Sequence, residues 1–285
     1  MRKIVFAVIL LSLVVGLYGY FIEPRWVRCK SVTIRNSIMA ETFKGLKIVH
    51  ISDLHVGKSW PPAVVRALGI MRDIKPDMIF LTGDYVPWNR SRKDYDASIA
   101  FLSNLEAPLG VFGVLGDSDY FFSRKSCEFC HDESGFLPTT KHRVKFLPNE
   151  VVSVEQGRRS WFVAGVDEYY DAGEKVSGVI ERLNTRLPTI LLSHSSMIYH
   201  DIDPFMNVLV LSGDTHGGQI RLPGFIWKFF KRKEDPDHIY GLYREKRKSL
   251  YVTSGLGLSS FPFRLGRRPE IVIFEFEKEG LDEAS

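Results

Sequence analysis

Hydrophobic positions along the chain fall into three kinds of run. Ile4 to Ile22 is uncharged and almost wholly apolar, with no polar stripe. A helix of that length reaches roughly across the ~30 Å hydrocarbon core of a bilayer. Beyond it, short β-branched runs alternate with segments of helical periodicity. The predicted strands are Leu46 to Ile51, Asp77 to Thr82, Val111 to Leu115, Trp161 to Val166, Thr189 to Ser193, Val208 to Ser212, Leu250 to Thr253 and Ile271 to Phe276. Pro61-Pro62 opens a helix with Val64, Leu68 and Met71 on one face. A second helix is expected over Asp94 to Leu105, with Ala97, Phe101 and Leu105 in line. This alternation predicts one α/β domain over 23–277, preceded by a transmembrane anchor at 1–22 and followed by an acidic tail at 278–285.

The apolar run reads as an uncleaved, single-pass anchor and not a signal peptide. It ends on bulky Tyr18-Gly19-Tyr20-Phe21-Ile22, where a cleavage site requires small residues. Arg2 and Lys3 favour a cytoplasmic N-terminus, whereas Arg25, Arg28 and Lys30 pull the other way, so charge does not set the orientation. Apolar residues make up 45% of the 285, enough to bury a core, which excludes a disordered or collagenous chain. The net charge of +4 is too mild to predict a nucleic-acid partner. Three cysteines cannot build a disulfide framework.

Ligand-type polar residues recur just past the strand ends: Asp53 and His55, Asp84, Asp117 and Asp119, His194, then Asp214 and His216. A lone Asp after a strand is usually turn chemistry, and a lone His is usually a hydrogen-bonded structural residue. Five such clusters at five strand ends point instead to one site at the carboxyl edge of a sheet. Mixed carboxylate and imidazole suit a divalent metal.

In chain order the clusters read Asp53-Leu54-His55, Gly83-Asp84, Gly116-Asp117-Ser118-Asp119, His194 and Gly213-Asp214-Thr215-His216-Gly217-Gly218-Gln219. This series resembles the calcineurin-like metallophosphoesterase superfamily, whose pattern is D-x-H, G-D, G-N-H-D, H and G-H-x-H. Gly217-Gly218-Gln219, Gly241-Leu242-Tyr243 and Tyr251 to Gly257 resemble its membrane-anchored bacterial branch, which includes UDP-2,3-diacylglucosamine pyrophosphatases of lipid A synthesis. The resemblance implies a two-sheet sandwich flanked by helices and two divalent ions, Mn²⁺, Mg²⁺, Fe or Zn²⁺. It places Asp53, His55 and His216 on the first ion, Asp84 between both, and His194 with Asp117 and Asp214 on the second. It assigns Ser118 and Asp119 to catalysis. The implied substrate is a lipid-linked or nucleotide phosphoester.

Three positions depart from the pattern. Asp117 stands for Asn and Asp214 for His, which makes the second site oxygen-rich and favours Mn²⁺ or Mg²⁺. The added negative charge predicts a slower or alkaline-shifted enzyme. Ser118 stands where the pattern has a His credited with protonating the leaving group. A hydroxyl is a poor acid, so a low-pKa nucleotide phosphate suits it better than an alkoxide. The alternative is a catalytically weak relative that binds a ligand, metal or haem at the membrane.

Two other features carry chemistry. Arg221 to Lys248 holds nine Lys/Arg and four Asp/Glu, with Phe225 to Lys233 interleaving aromatic and basic residues, as at a membrane interface. Cys127-Glu128-Phe129-Cys130-His131 has the C-x-x-C-H form of c-type haem attachment. Cys127, Cys130 and His131 read first as an incidental loop with a local disulfide or free thiols, and otherwise as a haem c site or a metal or redox pair.

Overall fold

The computed structural model describes residues 1–120, 129–130, 139–167, 173–183, 187–223, 235 and 237–280. Helix α1 (Arg2–Leu17) continues through a wide turn and a tight turn to Arg25. This Arg2–Arg25 span is long and apolar enough to cross a membrane, and its side chains from Ile4 to Ile22 are mostly exposed.

The short helix α2 (Ser37–Thr42) and two six-stranded sheets follow. The strands of the first are β1 (Arg28–Arg35), β2 (Ile48–Ile51), β3 (Met78–Thr82), β4 (Val111–Val114), β5 (Val144–Phe146) and β12 (Glu270–Glu277), in the order β1-β12-β2-β3-β4-β5. Those of the second are β6 (Glu150–Gln156), β7 (Arg159–Val166), β8 (Thr189–Ser193), β9 (Val208–Ser212), β10 (Gly241–Glu245) and β11 (Lys248–Val252), in the order β10-β11-β9-β8-β7-β6. The centre of each sheet is parallel: β2 to β5 in one, and β7, β8, β9 and β11 in the other. Such strands are covered on both faces, hence their continuous apolar sequences.

Phe80, Phe112, Trp161, Ile190, Leu209, Tyr251 and Phe274 fill the space between the sheets. Helices α3 (Pro62–Ile74) and α4 (Arg92–Leu102) bury Val64, Leu68, Met71, Phe101 and Leu102 on the outer face of the first sheet. α5 (Gly173–Arg182) covers the second, with Val176 and Val179 buried. The expected sandwich is thus present. α4 begins where Asp94 accepts from the Ser91 hydroxyl and backbone at 2.7 and 2.6 Å. This cap moves the start two residues ahead of the expected one.

The end of the apolar helix is docked on the domain. A side chain at Gly19 would come within 2.3 Å of the Phe263 ring, and the Gly19 carbonyl accepts from Arg264 at 3.0 Å. Glu23 is buried and its carboxylate accepts from the Arg267 backbone at 2.7 Å.

Candidate metal centre

The ends of β2, β3 and β4 in one sheet face the ends of β8 and β9 in the other. The loops leaving them bring together Asp53, His55, Asp84, Asp117, His194, Asp214 and His216. Five of the seven, Asp53, His55, Asp84, Asp214 and His216, have positive φ between 43° and 69°. Left-handed backbone is uncommon outside glycine, and its concentration here marks loops held in shape by their surroundings. Gly83, Gly116 and Gly255 let the loops close: a Cβ at Gly116 would lie 2.3 Å from Asp84 Oδ1, and one at Gly255 2.6 Å from Asp53 Cβ. Beneath them the buried Arg264 guanidinium donates to the carbonyls of Ser254, Gly257 and Arg267 at 2.8, 2.6 and 2.9 Å.

Asp84 sits in the middle. Its Oδ2 lies 3.4 Å from His55 Nε2 and its Oδ1 3.5 Å from His194 Nε2. On the His55 side, His216 Nε2 is 3.0 Å from His55 Nε2 and 3.8 Å from Asp53 Oδ1. On the other side, His194 Nε2 is 3.8 Å from Asp214 Oδ1 and 4.0 Å from Asp117 Oδ1. Asp53 also belongs to a compact group with Asp84 and His194. One carboxylate therefore spans two donor sets.

The donor sets fit metal ions. His194 Nδ1 lies 2.6 Å from the Thr82 carbonyl, which places the proton there and turns the Nε2 lone pair toward the carboxylates. Among the described residues that buried Nε2 has no hydrogen-bond partner. Ligands at about 2.0–2.2 Å from one ion lie roughly 3–4 Å from each other, the spacing seen here. Charge agrees. Burial pulls the His194 pKa down, yet the carboxylates of Asp84, Asp214, Asp53 and Asp117 outweigh it and hold the pKa well above the ordinary value. Burial alone pushes Asp84 up, but His194, His55 and hydrogen bonds from Ser118 leave it below the usual carboxylate range. Burial pushes Asp53 up. Four carboxylates in one partly dry cluster require positive charge among them.

The calcineurin-like phosphoesterase profile matches residues 46–218, more than half of the chain and the whole stretch from β2 to the His216 turn. The chain belongs to that family. It is a metal-dependent phosphoester hydrolase. The chain is 29% identical over 263 residues to an uncharacterised metallophosphoesterase of Bacillus subtilis, YkuE, covering 91% of this chain and 89% of that one. The phosphodiesterase YaeI of Escherichia coli is 29% identical over 264 residues, 90% of this chain and 91% of its own. The UDP-2,3-diacylglucosamine pyrophosphatase LpxG of Chlamydia muridarum is 25% identical over 303 residues, 88% of this chain and 90% of its own.

Ser118 and Asp119 lie behind Asp84 and do not line the cavity. Ser118 is buried; its hydroxyl sits 2.7 Å from Asp84 Oδ1 and 2.8 Å from the Val86 carbonyl, and its backbone N–H donates to the same Asp84 oxygen at 3.1 Å. The Asp119 carboxylate accepts the backbone N–H groups of Asp84, Tyr85 and Gly116 at 2.8, 2.7 and 2.8 Å. Both side chains thus hold the Asp84 loop. Of the C-x-x-C-H string, Cys127 and His131 lie outside the described residues, and Cys130 packs against the core under α3 and α4. Phe225 to Lys233 also lies outside the described residues.

A cavity of about 500 Å³ opens above the cluster. Beside His55, Asp84, Asp117, Asp214 and His216 it is lined by Trp88, Asn89, Gln219, Ser259 and Phe261, which sequence reading did not assign to the site. Gln219 braces this wall: its amide donates to the Phe261 carbonyl at 2.9 Å and accepts from the Ser259 N–H at 2.7 Å. The Gly-Gly-Gln string was visible; the loop it holds, some forty residues on, was not.

Proposed function

We propose that this hydrolase is a membrane-anchored phosphodiesterase or pyrophosphatase acting on a lipid-linked nucleotide such as UDP-2,3-diacylglucosamine. The observation that carries the reading is the Asp84 carboxylate facing His55 on one oxygen and His194 on the other. Asp53, His55 and His216 would hold one divalent ion, and His194, Asp117 and Asp214 the second. When bound, such a pair supplies a nucleophile from water at neutral pH and neutralises charge building on the phosphoryl group.

The chain's own residues set the rest. Ser118 fixes the direction of Asp84 and has no exposed proton to give a leaving group. This favours bonds whose leaving group departs as a stable anion, a nucleoside phosphate above an alkoxide. The oxygen-rich second set favours Mn²⁺ or Mg²⁺.

The membrane reading rests on the Arg2–Arg25 span and on where it ends. Phe261 lines the cavity and packs at a tilt against Phe263 with 5.7 Å between ring centres, and Phe263 lies against Gly19. The cavity wall therefore abuts the end of the apolar helix. With residues 1–22 in the bilayer, domain 23–277 would hold its cavity beside the headgroups, and 278–285 would remain a tail. The test is hydrolysis by full-length protein in detergent of UDP-2,3-diacylglucosamine and of bis-p-nitrophenyl phosphate, with Mn²⁺, with Mg²⁺ and after chelation. The expected result is metal-dependent release of UMP outrunning diester cleavage. Diester cleavage with no action on the lipid nucleotide would leave the hydrolase and remove this substrate class.

A further inference from the structure

His200, Asp235 and His238 form a second gathering of ligand-type side chains, apart from the cavity. His200 lies in the turn Ser196–Asp201 after β8, whereas Asp235 and His238 precede β10. His200 Nε2 is 2.8 Å and His238 Nδ1 2.6 Å from the same oxygen, Asp235 Oδ2. The other oxygen accepts the Asp237 N–H at 3.0 Å, which fixes the carboxylate plane and leaves Oδ2 to the imidazoles. Asp235 is buried, its side chain 3% exposed, and His200 is half exposed.

The rings are held in place. His238 meets Tyr243 edge-on at 4.5 Å and Tyr199 at 5.3 Å. The His200 and His238 rings lie 5.3 Å apart, and three donor atoms, one from each residue, fall within 4.8 Å of one another. Both imidazoles now stand at hydrogen-bond distance from Asp235 Oδ2; with an ion in place of the two shared protons and the atoms spread to ligand spacing, two nitrogens and one anchored oxygen make a borderline donor set with room for water on the open His200 side. The carboxylate also has its second contact in place, as metal ligands usually do.

We propose that His200, Asp235 and His238 bind one divalent transition-metal ion of the Zn²⁺ class, separate from the phosphoesterase centre. The ion would clamp the segment after β8 to the segment before β10. The latter reaches the catalytic loops, since the Ile239 carbonyl accepts from the Thr215 hydroxyl at 2.6 Å, between Asp214 and His216. Its place is structural: it would hold the wall behind the His216 turn.

The test is metal counting on full-length protein in detergent, stripped with chelator and dialysed against Zn²⁺ or Co²⁺. Wild type, His200→Ala and His238→Ala are compared by elemental analysis, and the Co²⁺ forms by visible absorption. Each variant is expected to hold about one ion per chain fewer than wild type and to lose one component of the Co²⁺ spectrum. Should His238→Ala fail to fold, His200→Ala, at a half-exposed position, decides alone. Equal ion counts and unchanged spectra would overturn the proposal and leave a hydrogen-bonded His–Asp–His cluster. The readout is a difference between variants, so it survives any change in occupancy or substrate at the Asp84 centre.

Discussion

Ser118 holds Asp84: the hydroxyl lies 2.7 Å from the same carboxylate oxygen that faces His194. A hydroxyl spent on a carboxylate in a buried position has no proton for a departing alkoxide. Hydrolysis rates should therefore fall steeply as leaving-group pKa rises, measured across a series of aryl and alkyl phosphodiesters. Ser118→Ala should lower kcat by roughly 10–100-fold, as expected when a partner that orients a ligand is removed. Its slope against leaving-group pKa should stay unchanged. A flatter slope in Ser118→Ala would mean that the hydroxyl takes part in proton transfer.

Asp84→Ala should remove the carboxylate shared by both donor sets. Bound metal should drop to near zero at that centre and hydrolysis should fall on the order of 10³-fold or more. His194→Ala should lose the second set alone, keeping ions on the Asp53, His55 and His216 side. Elemental analysis beside diester hydrolysis separates the two. Equal metal content in Asp84→Ala and wild type would refute the shared role.

His50 gives a pH dependence of stability with a definite sign. It sits in β2, fully buried, with Nε2 2.8 Å from the Thr82 hydroxyl, and burial lowers its pKa to about 3. Below about 6.5 the unfolded chain takes up a proton that the folded chain refuses. Stability should thus be full above pH 6.5 and decline as pH falls toward 3, followed by denaturant melts. His50→Gln should flatten that decline. An identical slope in the variant would place the acid sensitivity elsewhere.

Gly19 should tolerate no larger side chain. A leucine there meets the Phe263 ring and the Arg264 carbonyl, so the helix end must lift from the domain. Overpacking of this kind costs about 1–3 kcal/mol. Chemical denaturation of Gly19→Leu in detergent should report that loss, and unaltered stability would mean the helix end is not docked in solution.

How much of this could be read beforehand follows from the physics of each element. The central strands β2, β3, β8 and β9 are apolar on both faces and announced themselves. β1 did not, because Arg28–Arg35 carries three basic residues, buries only Val32 and Ile34, and pairs with a strand from the far end of the chain. β6 and β10 are edge strands with no fully buried residue, so neither shows the continuous apolar run of a covered strand. At the centre, residue types were legible because strand ends collect ligands. The left-handed backbone of Asp53 and His216 was not, since it is imposed by packing between sheets. The roles of Ser118 and Asp119 as holders of the Asp84 loop needed coordinates. So did the meeting of His200 with Asp235, which no short spacing encodes.

The position of β12 sets an order of events during synthesis. It lies between β1 and β2, with Arg28 beside Glu270 and Phe274 beside Ile48. The first sheet thus stays open down its middle while the ribosome makes everything from β2 to β11. Asp53 and His55 emerge early, yet the loop against Asp53, carrying Gly255, and the strand bracing β2 arrive last. Cations met by the nascent chain find scattered carboxylates with no enclosure. The centre is consequently enclosed only once β12 has joined β1 to β2.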